Sequence, residues 1–267
     1  MGLSTAAFYT IGCKLNQAET DALRAQFLKR GVLVKPFGES VNLTVINTCS
    51  VTSAANRDCR NAIRRARRAS PDGQIAVMGC YAELKPEALK SEGVHFVFGT
   101  KNKSAVIGLI SPIGHIRPMA ATEMAATERT RAFLKIQDGC DNFCSYCIVP
   151  YARGRSRSEP FEKIVEEAKQ LVKLNAPEVV LTGVNIGNYA DQGRSFVDLA
   201  KALVEIPGLS RLRLSSIEPN TLPEKLIDLI STQHNICPHL HIPLQSGSDK
   251  ILAQMRSHGP PCRPPVG

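Results

Sequence analysis

The chain is 267 residues long, 43% hydrophobic and 21% charged, the make-up of a soluble globular protein with one large or two ordinary domains. Its longest apolar runs cover only a few residues and exclude a membrane-spanning helix, and its first residues lack the basic-then-apolar order of a secretory leader. A formal charge of +9 fits a polyanionic partner such as nucleic acid, although 5% aromatics and no Trp advertise no base-stacking platform, and solubility alone is the plainer reading.

In chain order, "AAFYTIG" (6–12) reads as a buried strand and "QAETDALRAQFLKRG" (17–31) as an amphipathic helix closed by Gly31. "NLTVIN" (42–47) is a second strand, and "ANRDCRNAIRRARRASPDG" (55–73) a basic helix stopped by Pro71 and Gly73. "QIAVMG" (74–79), "KPEALKSEG" (85–93), "HFVFG" (95–99) and "NKSAVIGLI" (102–110) continue as strand, helix, strand and helix. This alternation predicts an open parallel sheet in an α/β domain over residues 1–110. Residues 111–130 have no apolar period and two prolines, as a linker would. A second alternation occupies 131–256, with strands at 132–137, 178–183, 211–218 and 239–245. Helices at 159–175, 196–206 and 222–232 lie between them, making a run of βα units that builds part of a barrel. Residues 257–267 carry four prolines and no period, and read as an irregular tail.

Nine cysteines without a leader point to a reducing, cytoplasmic compartment, where they serve as metal ligands or buried thiols rather than disulfides. Cys13, Cys49 and Cys80 each follow the C-terminal end of a predicted strand, the rim where open parallel sheets bind ligands. One such cysteine is an ordinary core residue; three at one rim favour a shared metal site. "GCDNFCSYC" (139–147) adds Cys140, Cys144 and Cys147 on a loop at the mouth of another strand. A structural zinc takes four protein ligands, whereas an iron–sulfur cluster held by three thiolates leaves a metal position open for chemistry. Cys59, inside the basic helix, and Cys237, before a proline, read as buried thiols, and Cys262 lies in the irregular tail.

The motif CxxxCxxC after the first strand of a βα-barrel, with Tyr146 before its last cysteine, resembles the radical S-adenosylmethionine signature. More narrowly, the chain resembles the methylthiotransferase family. "GCKLN" (12–16), "NTCSVT" (47–52) and "GCYAE" (79–83) match that family's N-terminal cysteine motifs. "KIQDGCDNFCSYCIVPYARGRSRS" (135–158), "LTGVNIGNY" (181–189), "SSIEP" (215–219) and "HIPLQSGS" (241–248) match its radical domain. The wording around 137–158 looks most like the threonylcarbamoyladenosine tRNA methylthiotransferase branch.

The resemblance implies an α/β chain: an open parallel-sheet domain followed by an incomplete radical-SAM partial barrel, lacking two strands and a terminal RNA-binding domain. It implies two [4Fe–4S] clusters, one on Cys13, Cys49 and Cys80 and one on Cys140, Cys144 and Cys147, with S-adenosylmethionine at the second. Tyr146, Gly183, Asn185, Ser216, Glu218 and Gln245 would line the S-adenosylmethionine site; no catalytic side chain is assigned beyond the clusters. The substrate would be the anticodon stem-loop of tRNA, and an electron donor would be needed. Arg57, Arg60, Arg64 and Arg67, with Arg65 and Arg68 beside them, share a helix, and Arg153, Arg155 and Arg157 follow the cluster loop; both sets suit phosphates. Two alternatives stand beside this reading: a cluster-binding chain that does not turn over, and a basic RNA-binding module with a structural metal.

Overall fold

The computed structural model describes residues 3–110 and 130–257. The tail cysteine Cys262 and nearly all of the predicted linker and tail therefore lie outside the described residues. The chain divides into two compact units, Met1–Ala126 with Tyr151–Arg153, and Thr127–Pro150 with Gly154–Gly267.

In the first unit, strands β1 (Thr5–Thr10), β2 (Leu33–Lys35), β3 (Leu43–Thr48), β4 (Gln74–Gly79) and β5 (Phe96–Phe98) form one sheet in the order β2-β1-β3-β4-β5. Every pairing is parallel. Helices α1 (Lys14–Lys29), α2 (Ser53–Ala69), α3 (Cys80–Leu84) and α4 (Pro86–Ser91) make the crossovers. Successive side chains of a strand point to opposite faces, so the sheet feeds two cores. Ile46 and Val77 pack with Ile63 and Leu89 on one face, while Val45, Ala76 and Met78 pack with Phe27 and Val106 on the other. All six residues of β3 are buried, as the central strand of a covered sheet requires. The α2 stripe Ala55, Cys59, Ala62, Ile63 and Ala66 recurs at helical spacing, and the Thr52 hydroxyl caps the helix by accepting from Ala55 N.

Two expectations change here. The three-residue strand β2 is too short to show a period in the sequence. The predicted helix at 102–110 is a 3-10 helix, Lys103–Leu109; Val106, Ile107 and Gly108 are poor α-helix formers.

In the second unit, β6 (Ala132–Lys135), β9 (Val179–Thr182) and β12 (Leu212–Leu214) form a parallel sheet in the order β12-β9-β6. Between β6 and β9 come β7 (Gln137–Asp138) and β8 (Arg157–Ser158), which pair antiparallel on either side of the cysteine loop. Between β9 and β12, β10 (Ala190–Asp191) and β11 (Arg194–Ser195) form a short hairpin. Helices α5 (Val149–Arg153, whose Tyr151–Arg153 belong to the first unit), α6 (Phe161–Lys173), α7 (Phe196–Val204), α8 (Glu224–Thr232) and α9 (Asp249–Gln254) follow in chain order, with 3-10 turns at Ile186–Asn188 and Pro219–Thr221. Ser195 and Asp198 form a capping box at the start of α7. The core gathers Leu134, Ile136, Val179, Leu181, Leu212 and Leu214 from the sheet with Ile164, Leu199, Leu203 and Leu226 from the helices.

The fourth strand predicted over 239–245 does not form. The segment makes one isolated parallel bridge, Ser216↔His241, and another, Leu212↔Ile236, lies just before it. Pro238 and Pro243 remove backbone donors that a continuous ladder needs.

Candidate metal centres

The N-terminal cysteines occupy three strand ends. Cys13 is the N-cap residue of α1, Cys49 follows β3, and Cys80 opens α3. Gly12 (φ +105°) and Gly79 (φ +104°) turn the chain before Cys13 and Cys80 in the left-handed region that favours glycine. A Cβ on Gly12 would lie 2.6 Å from Cys49 Cβ and 2.9 Å from Cys49 Sγ, so the glycine lets two of the cysteine segments close together. Cys13 is exposed, whereas Cys49 and Cys80 are buried. Burial pushes the Cys80 thiol up; Arg153 and Lys103 pull it back, and the nearby Cys49 and Cys13 push it up further. Cys80 thus lies within the field of the other two thiols.

The Asn16 side chain braces this rim. It is fully buried, and its Nδ2 donates to the Ile11 carbonyl at 2.8 Å and the Thr48 carbonyl at 3.0 Å, joining the ends of β1 and β3.

The second set is local. Cys140, Cys144 and Cys147 share one irregular loop between β7 and α5, as the sequence reading expects. Gly139 (φ +72°) has no room for a side chain, since a Cβ there would lie 2.0 Å from the Arg155 carbonyl oxygen. Cys140 N donates to the Gly154 carbonyl at 3.1 Å, Cys147 N to the Cys144 carbonyl at 2.9 Å, and Ser145 N to the Met255 carbonyl at 2.8 Å. Burial pushes the Cys140 and Cys147 thiols up, and the neighbouring cysteines and Glu218 add to the rise.

Gln137 plays the part here that Asn16 plays in the first unit. It is fully buried. Its Nε2 donates to the carbonyls of Asp138 (3.0 Å) and Gly139 (2.8 Å) and to Ser156 Oγ (3.0 Å). Its Oε1 accepts from Val184 N at 2.8 Å and Asn185 N at 3.0 Å. One side chain therefore ties the cysteine loop to the rim of β9. Asp138 adds a second tie, accepting from Gly139 N at 2.8 Å and pairing with Arg157 at 2.6 Å and Lys135 at 2.9 Å.

Among the described residues, no three His, Cys, Asp or Glu side chains gather as a single ion would require. A [4Fe–4S] cube makes a different demand: each thiolate ligates its own iron, so the sulfurs stand apart around a bulky core. Two all-cysteine trios, each introduced by a glycine that lets the backbone close in, fit that group.

Residues 5–99 match the family described as "Uncharacterized protein family UPF0004", and residues 134–262 match the Radical SAM superfamily. The second match includes the first residues of the stretch read above as an irregular tail. The chain is 39% identical to the threonylcarbamoyladenosine tRNA methylthiotransferase of Bacillus subtilis, over 95% of this chain and 60% of that protein. It is 37% identical to the enzyme of the same name from Aquifex aeolicus, over 93% and 65% respectively. The chain carries a Radical SAM superfamily domain and is similar over nearly all of its length to methylthiotransferases of that superfamily. It spans about three fifths of the length of these curated relatives. Among solved structures, the radical S-adenosylmethionine methyltransferase TsrM of Kitasatospora setae, with tryptophan and a S-adenosylmethionine analogue bound, has a TM-score of 0.66. It is 14% identical and is covered over 61% of its length and 94% of this chain, a likeness of fold.

The other residues that the family resemblance marks fall into distinct settings. Asn185 is buried, its Oδ1 accepting from Gly187 N (3.2 Å), Thr221 Oγ1 (3.1 Å) and Glu218 N (3.3 Å). Its Nδ2 is buried with no hydrogen-bond partner among the described residues. Glu218 is half-buried, and burial pushes its carboxyl up. Gly183 lies against Gln137, where a Cβ would come within 2.9 Å of Oε1. Ser216 Oγ is 2.8 Å from His241 Nδ1. Tyr146 is exposed, and burial of its hydroxyl, followed by the field of Cys144 and Glu218, pushes its pKa up while Ser257 opposes. Gln245 is exposed in a left-handed conformation (φ +61°), beyond the stretch that bridges to Ser216.

The arginines need one correction. Arg153, expected to face RNA, is 2% exposed and pairs with Glu19 at 3.1 Å, so a phosphate cannot reach it. On α2, Arg57 is exposed, Arg60 donates to the Tyr81 hydroxyl at 3.5 Å, and Arg64 and Arg67 reach Glu92. Arg65 lies over the Phe37 ring. Arg155 pairs with Asp141 at 3.1 Å and remains largely exposed. The sequence reading missed Asn16 and Gln137. Their signal was available as a lone amide three residues from a cluster cysteine, and it carries meaning only once the strand ends converge.

Proposed function

We propose that this chain serves in tRNA methylthiolation, the attachment of a methylthio group to C2 of N6-threonylcarbamoyladenosine at tRNA position 37. The observation that carries the reading is the pair of separate three-cysteine rims, in a chain 39% identical to an enzyme of that name. When bound, two [4Fe–4S] clusters supply one-electron cleavage of S-adenosylmethionine and a route for the methylated sulfur.

The protein's own part is to hold and orient. Cys13, Cys49 and Cys80 would hold one cluster and Cys140, Cys144 and Cys147 the other, with three thiolates for each. Gln137 fixes the Cys140 loop against the β9 rim, where Asn185 presents its unpartnered buried amide as a donor for S-adenosylmethionine. A buried N–H without a partner costs roughly 1–3 kcal/mol, and a ligand acceptor there would recover it. Glu218, favoured in its neutral form by burial, and Ser216 line the same rim. Exposed arginines, Arg57 and Arg155 foremost, supply phosphate contacts to the anticodon stem-loop, and binding falls as salt rises. Cytoplasmic location follows from this substrate. Among the described residues, no helix is long and apolar enough to cross a membrane.

The test is anaerobic reconstitution of the chain with iron and sulfide, followed by incubation with threonylcarbamoylated tRNA, S-adenosylmethionine and a reductant. Mass spectrometry of the nucleosides should show the methylthio derivative, absent when the tRNA lacks the threonylcarbamoyl group. Clusters without any methylthiolated nucleoside would reduce the chain to a cluster-binding protein and overturn the proposed activity.

A further inference from the structure

Below the N-terminal cysteines lies a group of buried side chains that the methylthiolation reading leaves without a role. Lys103 is 9% exposed, and its ammonium faces three acceptors: a Glu19 carboxylate oxygen, Asn47 Oδ1 at 3.2 Å and Asn16 Oδ1 at 3.5 Å. The two amides cannot be turned around to offer donors instead. Asn16 Nδ2 is committed to the Ile11 and Thr48 carbonyls, and Asn47 Nδ2 to the Asn16 carbonyl at 2.8 Å and Thr20 Oγ1 at 3.1 Å. Burial pulls the Lys103 pKa down and Glu19 pushes it back up; an ammonium has three protons and no lone pair, so the ring of acceptors favours the charged lysine. Arg153 shares the same carboxylate, donating to Glu19 through Nη1 at 3.1 Å and to Asn16 Oδ1 through Nη2.

Buried ion pairs are a poor way to add stability, since apolar residues of like volume hold a core as well or better. Their placement points elsewhere. A Cβ on Gly79 would lie 2.6 Å from Asn47 Oδ1, so the acceptor that holds Lys103 touches the backbone presenting Cys80. Asn16, held by both cations, grips the carbonyl of Thr48, the residue before Cys49. Cys80 lies within the field of both Lys103 and Arg153. A cube on three thiolates is anionic, and reduction adds another negative charge. Fixed positive charge behind such a site favours the reduced form, and negative charge opposes it.

We infer that the largely buried Lys103–Glu19–Arg153 group sets the reduction potential of the cluster held by Cys13, Cys49 and Cys80. The inference rests on the reading that these cysteines hold a [4Fe–4S] cluster. The three side chains act through their field and the cluster's surroundings, and touch neither substrate nor iron.

The test uses the full chain carrying Cys140→Ala, Cys144→Ala and Cys147→Ala, so that the N-terminal cluster alone reports in a potentiometric titration followed by electron paramagnetic resonance. Lys103→Met and Glu19→Gln are compared in this background. Both break the same ion pair, but one removes a positive charge and the other a negative charge. Lys103→Met should lower the midpoint potential and Glu19→Gln should raise it. Equal potentials, or shifts of the same sign, would overturn the inference and leave the group as a structural brace. If Lys103→Met fails to retain iron, Glu19→Gln decides alone: a raised midpoint supports the inference, and an unchanged or lowered one defeats it. Loss of iron from both variants would also make the group a brace. Absence of a cluster from the background chain would instead sink the cluster reading itself.

Discussion

In the first unit, the three cysteines come from the ends of β1, β3 and β4, with Cys13 and Cys80 far apart in sequence. In the second, they come from one loop of eight residues, 140–147. The charges around them also differ. Cys80 lies in the field of Lys103 and Arg153, whereas Cys140 and Cys147 lie in that of Glu218. The donor atoms are the same in both, yet the first site exists only once the parallel sheet has closed long loops, and the second is already gathered by local sequence. The cationic surrounding of the first stabilises added negative charge.

The largest effect expected from this contrast is on metal content. Changing Cys140, Cys144 and Cys147 to Ala, or Cys13, Cys49 and Cys80 to Ala, should each remove about half of roughly eight irons per chain. The first triple variant should also abolish reductive cleavage of S-adenosylmethionine. Iron and sulfide analysis of the reconstituted proteins decides it: a folded triple variant that had lost all its iron would show one shared site instead of two.

A smaller, site-confined effect should follow from the two bracing amides. Asn16→Ala should weaken the first site and Gln137→Ala the second, each destabilising its own unit by about 3 kcal/mol, because several buried backbone groups lose their partners. Thermal unfolding combined with iron content per site would check this. If Gln137→Ala left its loop fully loaded and as stable as before, the local gathering of cysteines would be sufficient without a brace.

The smallest effect belongs to the cysteines outside both trios. Cys59 is fully buried, bonded to the Cys49 carbonyl at 3.7 Å, and burial pushes its thiol up to about 12, so it stays protonated. Cys237 is buried in the other unit. Cys59→Ser and Cys237→Ser should leave iron content and visible cluster absorption unchanged, as measured after parallel reconstitution. A marked drop in either would add a ligand to one of the two sites.

Much of this was legible in the sequence. The strand–helix alternation gave the parallel sheets, because buried strands read as short apolar runs and amphipathic helices repeat with their turn. The CxxxCxxC loop was legible outright, since its three ligands are neighbours in the chain. The overestimated strand at 239–245 failed where apolar composition concealed Pro238 and Pro243.

By itself, then, the sequence determined the order of elements, the six cysteines at strand ends and the family resemblance. The tertiary structure alone decided what surrounds them. That Arg153 turns inward to Glu19 while Arg155 stays exposed, that Lys103 is ringed by three acceptors, and that Asn16 and Gln137 each brace a cysteine rim are facts about residues distant in the chain. Burial and pairing of a charge depend on which segments meet in space, and a linear pattern of residue types carries no record of that meeting.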